Sequence, residues 1–378
     1  MDLHSRDPSR SALIYIEQFD LDESRPGGIE SVVRDFLRVS RADDMYVVGL
    51  TRSSRAAVGH WRHVDTGGRI VAFLAVAHAP DGSKLPDALA LSWGLLRHRK
   101  KLPSAPAHCH RAEVALVARV LRIRVAALFL HNDATSLVST ESDSFWRRLG
   151  RLYYAVERFA VRASEHVVVF NKPGAERLAT HYPSVRRGVT WFDDSLFALR
   201  GEPRPGPAVV LWVGRLDRQK DPVLAVRAFE FVAKRRPGTR LRFVGDGPLE
   251  ARVRDEVSRA GLESSVDFAG RLTRADVAQE MQDATVLLMS SHYEGSPIVL
   301  IEAGASGLPC AVPAEADPDG WIIEGVNGSV ARSRSPQGLG EAVLAAFGVP
   351  RDRCAELAAP RAKTRLAREL SEIGLAVP

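Results

Sequence analysis

Residues 208–229, AVVLWVGRLDRQKDPVLAVRAF, decide the fold. Ala208 to Val213 is a short, wholly apolar run, the pattern of a strand buried on both faces. Gly214 breaks it, the charged stretch Arg215 to Lys220 reads as a loop, and Asp221 and Pro222 supply the acid and the proline that open a helix. In open α/β sheets ligands sit at the carboxyl ends of the strands, which is where Arg215 and Lys220 fall. An isolated pair of cations on such a loop reads as solvated surface, so its meaning depends on the neighbouring elements of the chain.

The same unit recurs immediately downstream. LRFVGDGPLEARVRDEV (241–257) places a strand ending at Gly245 and a helix from about Leu249. GDGPLE is only a partial dinucleotide fingerprint, because Glu250 stands where the third glycine belongs. VDFAG (266–270) is a further strand, followed by Arg271, Leu272 and a helix beginning near Thr273; TVLLMSS (285–291) is a short strand leading into His292, Tyr293 and Glu294. Gly295, Ser296 and Pro297 form a turn ahead of a buried helix, IVLIEAGAS, with Pro297 near its first position. The free N–H groups and positive end of such a helix favour a phosphate. Glu294 lies just before the helix and Glu302 about one turn into it, so both carboxylates can serve one ligand, and acceptor-only carboxylates suit paired hydroxyls. Two glutamates at this spacing, taken alone, fit a solvated helix better. Together with Arg215 and Lys220 they are the groups that hold a ribose and a sugar by their hydroxyls and a diphosphate by its charge.

In this order and spacing GRLDRQKDP, FVGDGPLE, VDFAGRL, EGSPIVLIEAGASGLPCAV and EGVNGSV resemble the carboxyl-terminal domain of glycosyltransferase family 4, retaining enzymes of the GT-B fold. The resemblance is strongest over about residues 208–347. It implies an α/β chain with two Rossmann-like doubly wound domains facing across a cleft, the amino-terminal one for the acceptor and the carboxyl-terminal one for a nucleotide sugar. It further implies that Arg215 and Lys220 stabilise the leaving diphosphate, that Glu294 binds sugar hydroxyls and Glu302 ribose hydroxyls, and that Leu272, Ser296, Pro297, Ile298 and Val299 line the donor. Gly27 and Gly28 would close over the donor phosphates from the opposite domain, and His110 would face the donor sugar, with His131 a second candidate. The family's usual EGFG is altered here, since Ser296 and Pro297 replace the aromatic residue and the second glycine. Pro297 has no N–H, so sugar contacts pass to Ile298 and Val299. VTWFDDSLF (189–197) replaces the usual Asn-Gly turn before the linker.

The amino-terminal half alternates as well. ALIYIEQF is a strand, DLDESRPGG a loop and IESVVRDFLRVS an amphipathic helix, so Gly27 and Gly28 lie at a strand-to-helix turn. Later strands are read at MYVVGL, RIVAFLAV, HCH, RVAALFLH and HVVVF. The expected division is an acceptor domain over 1–200, a Pro/Gly-rich linker at 201–207, a donor domain over 208–355 and a helical segment, 356–378, that can cross back to the first domain.

A chain of 378 residues with 45% hydrophobic and 26% charged residues suits a two-domain globular enzyme. Cys109, Cys310 and Cys354 are too few and scattered for a disulfide framework, which points to a reducing cytoplasm. The first ten residues, MDLHSRDPSR, carry no apolar run, and no stretch reaches the roughly eighteen apolar residues of a membrane helix. No metal is expected. His108 and His110 lack further ligands at a recognisable spacing, and Asp317 and Asp319 of DPD read as helix-cap chemistry. The diphosphate is expected to be neutralised by side chains.

The net charge of +6 and a pI near 9.4 fit a polyanionic donor or an anionic membrane surface. No nucleic-acid module is present. LLRHRKKL and SFWRRLGRLYYAVERFAVRA both mix bulky apolar with basic residues. In the second, Phe145, Leu149, Leu152, Val156 and Phe159 recur at core-facing spacing, which favours a core helix over peripheral contact with the inner membrane face. The expected activity is transfer of a hexosyl or N-acetylhexosaminyl group, with UDP preferred as the carrier, to a small-molecule or lipid-linked saccharide. A nucleotide-sugar 2-epimerase of the same fold and a non-turning-over sugar-nucleotide-binding subunit are the alternatives.

Overall fold

The structure, a computed structural model, describes residues 11–22, 28–53, 55–66, 68–80, 86–131, 134, 146, 149–201, 203–371 and 373. These divide into two compact units. The first takes the described residues up to Gly188 and those from Arg365 on; the second runs Val189–Thr364. The change of unit therefore falls upstream of the Pro/Gly-rich segment at 201–207. The reason is that VTWFDDSLF belongs to the second unit: Phe192 pairs with Ala362, and the Asp193 carboxylate meets Lys363 Nζ at 2.9 Å. Burial alone would raise the Asp193 carboxyl pKa, but the bonds from Ser195 and Lys363 hold it below its usual value. The helix Lys363–Ser371 begins in the second unit and ends in the first.

The first unit is an eight-stranded sheet of β1 (Ala12–Ile16), β2 (Asp44–Thr51), β3 (Trp61–Asp65), β4 (Ile70–His78), β5 (Ala107–Cys109), β6 (Val125–Leu130), β7 (Ser164–Val169) and β8 (Val185–Arg187), in the order β3-β4-β2-β1-β5-β6-β7-β8. Period-two alternation sorts the side chains. Ile14 and Ile16 pack under the helices Asp87–Arg97, Ala112–Val120, Gly150–Ala163 and Lys172–Ala179, whereas Tyr15 meets Phe36 of the helix Gly28–Val39 on the other face. The strand β3, which the sequence reading did not place, runs antiparallel to β4. The connection of four residues is too short for a crossover, so a hairpin results.

The second unit is parallel throughout: β9 (Val209–Val213), β10 (Arg240–Val244), β11 (Val266–Gly270), β12 (Val286–Leu288), β13 (Cys310–Pro313) and β14 (Gly328–Ala331), in the order β11-β10-β9-β12-β13-β14. The chain winds one way from β9 and the other way from β12. Between those two strands lies the topological switch point, where doubly wound sheets bind ligands. Val210 and Trp212 face the helices Pro222–Arg235, Glu250–Arg259 and Pro336–Ala346; Leu211 faces Ile298–Ala305 and Arg351–Ala358.

One expected core face is corrected. The helix Gly150–Ala163 buries Tyr153, Glu157, Ala160 and Val161, and leaves Leu149, Leu152 and Phe159 exposed with Val156 at the margin. Phe145 lies outside the described residues. Glu157, which apolar patterning discounts, is inside because Arg177 meets both of its oxygens at 2.8 and 2.9 Å. The buried stripe is thereby turned one residue along the helix. Among the described residues, no helix is long and apolar enough to cross a membrane.

Candidate functional site

The loops that leave β9 and β12 are stitched together at the switch point. Lys220 Nζ lies 2.6 Å from Glu294 Oε1, and Ser291 Oγ donates to the same oxygen at 2.6 Å. His292 N donates to Gln219 O at 2.8 Å, and Gln219 Nε2 to Tyr293 O at 3.2 Å. Asp217, itself buried, accepts from Lys220 N at 3.0 Å and from Arg215 Nε at 2.7 Å, so one carboxylate shapes the loop and aims the Arg215 stem. The Arg215 side chain stays exposed, its two terminal nitrogens unbonded among the described residues. The helix Pro222–Arg235 opens as expected, with Asp221 capping Leu224 N at 3.3 Å. Asp221 holds a left-handed φ of 44°, and its other oxygen pairs with Arg334 at 2.5 Å.

The glycines of GDG serve this loop directly. Gly245 has φ 129°, and a Cβ there would stand 1.9 Å from Gly214 O. The close approach is fixed by Gly214 N to Val244 O at 3.0 Å and Leu216 N to Asp246 O at 2.8 Å. The partial fingerprint is thus a seat for the basic loop.

The third element is the helix Ile298–Ala305. Pro297 is its capping residue, with φ −74° and ψ 94°, one position earlier than the sequence places it. Its ψ is extended, so the helical turn starts at Ile298. The cap makes no side-chain bond. Pro297 O accepts from Leu300 N at 3.1 Å, while the N–H groups of Ile298 and Val299 have no partner among the described residues. Ser296 Oγ meets Thr190 Oγ1 at 3.1 Å. Glu302, one turn into the helix, takes Arg274 Nη2 on Oε1 at 2.7 Å, and Leu272 packs against the core beside it. Asp317 opens no helix: its backbone N–H closes the 3-10 helix Ala314–Ala316 on Ala314 O at 3.2 Å, its two oxygens accept from Trp321 N and Ile322 N at 2.9 and 2.7 Å, and burial raises its carboxyl pKa.

The first unit has its own switch point, between β1 and β5, and a polar row at the carboxyl edge of its sheet. Glu17 follows β1 and pairs with Arg111, just after β5, at 3.0 Å. Burial raises the Glu17 pKa against the pull of Arg111. His110 Nδ1 and His131 Nε2, at the ends of β5 and β6, are 3.0 Å apart in a stack that runs Phe129, His110, His131, Phe170. Burial, then the neighbouring positive charges, holds His110 well below its usual pKa and His131 down at about 3, so both rings are neutral. Glu17 Oε2, His110 Nε2 and Asn171 Nδ2 are buried polar atoms without a partner among the described residues. His108 is structural: its Nε2 donates to Ile373 O at 2.7 Å. Gly28 is the first residue of the helix Gly28–Val39, and Gly27 lies outside the described residues.

The structure thus brings Lys220 to Glu294 and seats Arg215, Ser296, Ile298, Val299 and Glu302 on the loops after β9 and β12 and on the helix Ile298–Ala305 of one unit. Sequence reasoning missed Asp217, Ser291, Arg274, Glu17, Arg111 and Asn171. Each stands within a turn of a residue that was singled out or just past a strand end, the one signal that could have found them.

Comparison with known proteins bears on the family and the fold. Residues 200–357 match the family model Glycosyl transferases group 1. The second unit carries a group 1 glycosyltransferase domain. A 2-deoxystreptamine N-acetyl-D-glucosaminyltransferase of Streptomyces fradiae is 31% identical over 281 residues, 68% of this chain and 62% of that one. The chain spans roughly half to three-fifths of the length of the curated relatives that it matches first. Among solved structures, sucrose-phosphate synthase from Thermosynechococcus elongatus superposes with TM-score 0.79 at 18% identity, over 96% of this chain and 98% of that one. Anabaena HepE, solved with UDP and glucose, superposes with TM-score 0.71 at 16% identity, over 96% and 98%. The fold is of the GT-B type.

Proposed function

We propose that the chain transfers a glycosyl group from a nucleoside-diphosphate sugar to an acceptor hydroxyl with retention of anomeric configuration, as the glycosyltransferase family 4 enzymes it resembles do. The observation that carries this reading is the Lys220–Glu294 contact at the switch point: one loop supplies cations, the other a carboxylate and a helix start with two unbonded N–H groups. Glu302 takes the ribose hydroxyls, Glu294 the sugar hydroxyls, and the N–H groups of Ile298 and Val299 a phosphate oxygen. As the bond from the anomeric carbon to the phosphate oxygen breaks, charge grows on the diphosphate, and in this reading Arg215 and Lys220 stabilise it and no metal is needed. The acceptor oxygen bonds to the anomeric carbon on the same face and its proton passes to the departing phosphate oxygen. UDP is the proposed carrier, supported by the UDP held in the HepE structure. We assign the acceptor, a saccharide or an aminocyclitol-like polyol, to the polar edge of the first unit, supported by the name of the Streptomyces relative.

A panel of nucleotide sugars and acceptors, read by product mass and by NMR of the new anomeric centre, tests the reading. A product of retained configuration with free nucleoside diphosphate is expected. Inverted configuration, or an epimerised sugar formed without acceptor, overturns it.

A further inference from the structure

The helices Asp87–Arg97, Ala112–Val120 and Gly150–Ala163 lie side by side on one face of the first unit's sheet. Their inner sides, with Leu91, Leu95, Val114, Ala118, Ala160 and Val161, share one core. Their outer sides therefore make a single surface, and its composition is unusual. Trp93 is 70% exposed, flanked one turn away on each side by Leu89 and Leu96. Val120 is 65%, Leu152 52% and Phe159 47% exposed. Exposed cations are interleaved with them: Arg97 at the end of the first helix with Arg99 and Lys100 just after it, Arg119 on the second, Arg151 and Arg158 on the third, and none of these six makes an ion pair among the described residues. The three acids of these helices are spent elsewhere. Asp87 is held by Arg52 at 2.5 Å, Glu113 accepts from Gln18 at 3.4 Å, and Glu157 is buried on Arg177.

Large apolar side chains at 38% exposure or more, mixed with unpaired cations and no free acid on these three helices, fit a partner that is apolar beneath and anionic above. A second copy of the chain would bring the same cations to the same patch, because a two-fold interface is self-complementary. A soluble acidic partner explains the arginines but leaves Trp93 and Phe159 without a reason. The geometry points to an anionic phospholipid bilayer as the occupant: Trp93, Leu152 and Phe159 enter the headgroup–acyl boundary, where aromatic side chains concentrate, and the arginines meet the lipid phosphates. The chain is then a peripheral membrane protein through its first unit. This holds or fails independently of the proposed transfer, since none of these residues belongs to the candidate site.

The test is flotation of the full chain with vesicles of phosphatidylcholine alone and of phosphatidylcholine mixed with phosphatidylglycerol. Binding to the anionic vesicles only, weakened by added salt, is expected. Each cation near such a surface multiplies partitioning about fivefold, so Arg97→Gln/Arg151→Gln/Arg158→Gln should lower it about a hundredfold. Trp93→Ser/Phe159→Ser should also abolish binding; both variants change exposed side chains and should keep the wild-type circular dichroism and melting temperature. Equal binding to neutral vesicles, no binding to anionic ones, or undiminished binding of either variant overturns the proposal. So does a dimer in sedimentation that Trp93→Ser dissolves, for then a second copy covers the face.

Discussion

Lys220 Nζ stands 2.6 Å from Glu294 Oε1, tying the end of the β9 loop to the end of the β12 loop across the switch point of the second unit. The pair is largely buried, with side-chain exposures of 23% and 8%. An ammonium held by one carboxylate oxygen is already positioned when a diphosphate arrives, so its contribution grows as charge develops on the leaving group. Lys220→Ala is expected to lower kcat about 10²- to 10³-fold, roughly 3 to 4 kcal/mol, with a smaller change in donor affinity. Because the two residues share one contact, Lys220→Ala/Glu294→Gln should lose less than the sum of the single losses. Steady-state kinetics of the four proteins decides it; additive losses would mean that the contact is incidental.

Arg274 is expected to act through Glu302. The 2.7 Å bond from Arg274 Nη2 fixes one oxygen of a carboxylate whose proposed partners are ribose hydroxyls, and those hydroxyls change little during transfer. Loss of such uniform binding raises KM and spares kcat. Glu302→Ala should therefore raise donor KM with kcat nearly unchanged, and Arg274→Met should do the same to a smaller degree. A fall in kcat at constant KM in either variant would remove the ribose assignment.

The second unit was legible in the sequence where a strand is a short run ended by glycine or a charged turn and a helix opens on a recognisable cap, as Asp221 does on Leu224 and Thr273 on Asp276; the helices Glu250–Arg259, Ile298–Ala305 and Arg351–Ala358 open without one. Glu294, Glu302, Arg215 and Lys220 were legible as a set for the same reason, since strand ends fix where loop residues gather. What pattern did not show is pairing. Nothing local says that Arg274 will reach Glu302, 28 residues on, or that Glu17 will reach Arg111, 94 residues on. The exposed side of Gly150–Ala163 was misread because the deciding inward group is the charged Glu157, which counts as solvent-facing until its partner is known.

Gly245→Ala measures how closely the basic loop is seated. A Cβ 1.9 Å from Gly214 O forces the two loops apart, beyond the roughly 1–3 kcal/mol that an unfavourable φ costs alone. At Gly261, φ 67° with nothing within 4 Å of the added carbon, only the backbone term applies. Urea unfolding should show Gly245→Ala losing clearly more stability than Gly261→Ala, and donor binding weakened in the first alone. Equal losses would contradict the packing.

Acid should weaken the first unit before carboxylates are protonated. Burial pushes His108 down to about 4 and His131 to about 3, from 6.5 when exposed, so the folded chain holds these rings neutral while the unfolded chain takes up protons. The resulting stability is fully present above about pH 6.5 and is lost as pH falls toward 4, by about 1.4 kcal/mol per unit per ring within that window. Urea midpoints at pH 7.5 and 5 should differ accordingly, and His131→Gln should reduce the difference. A midpoint independent of pH over this range would mean that the rings are solvated.

The central claim is that a nucleoside diphosphate seats on the switch point of the second unit, at the unbonded N–H groups of Ile298 and Val299. The most direct measurement is a titration of UDP into ¹⁵N-labelled chain in the presence of EDTA, following those two amides. The account predicts that both shift and saturate together, and that Lys220→Ala leaves the shifts in place while Glu302→Ala moves saturation to higher UDP. Unmoved Ile298 and Val299 amides at saturating UDP would contradict it.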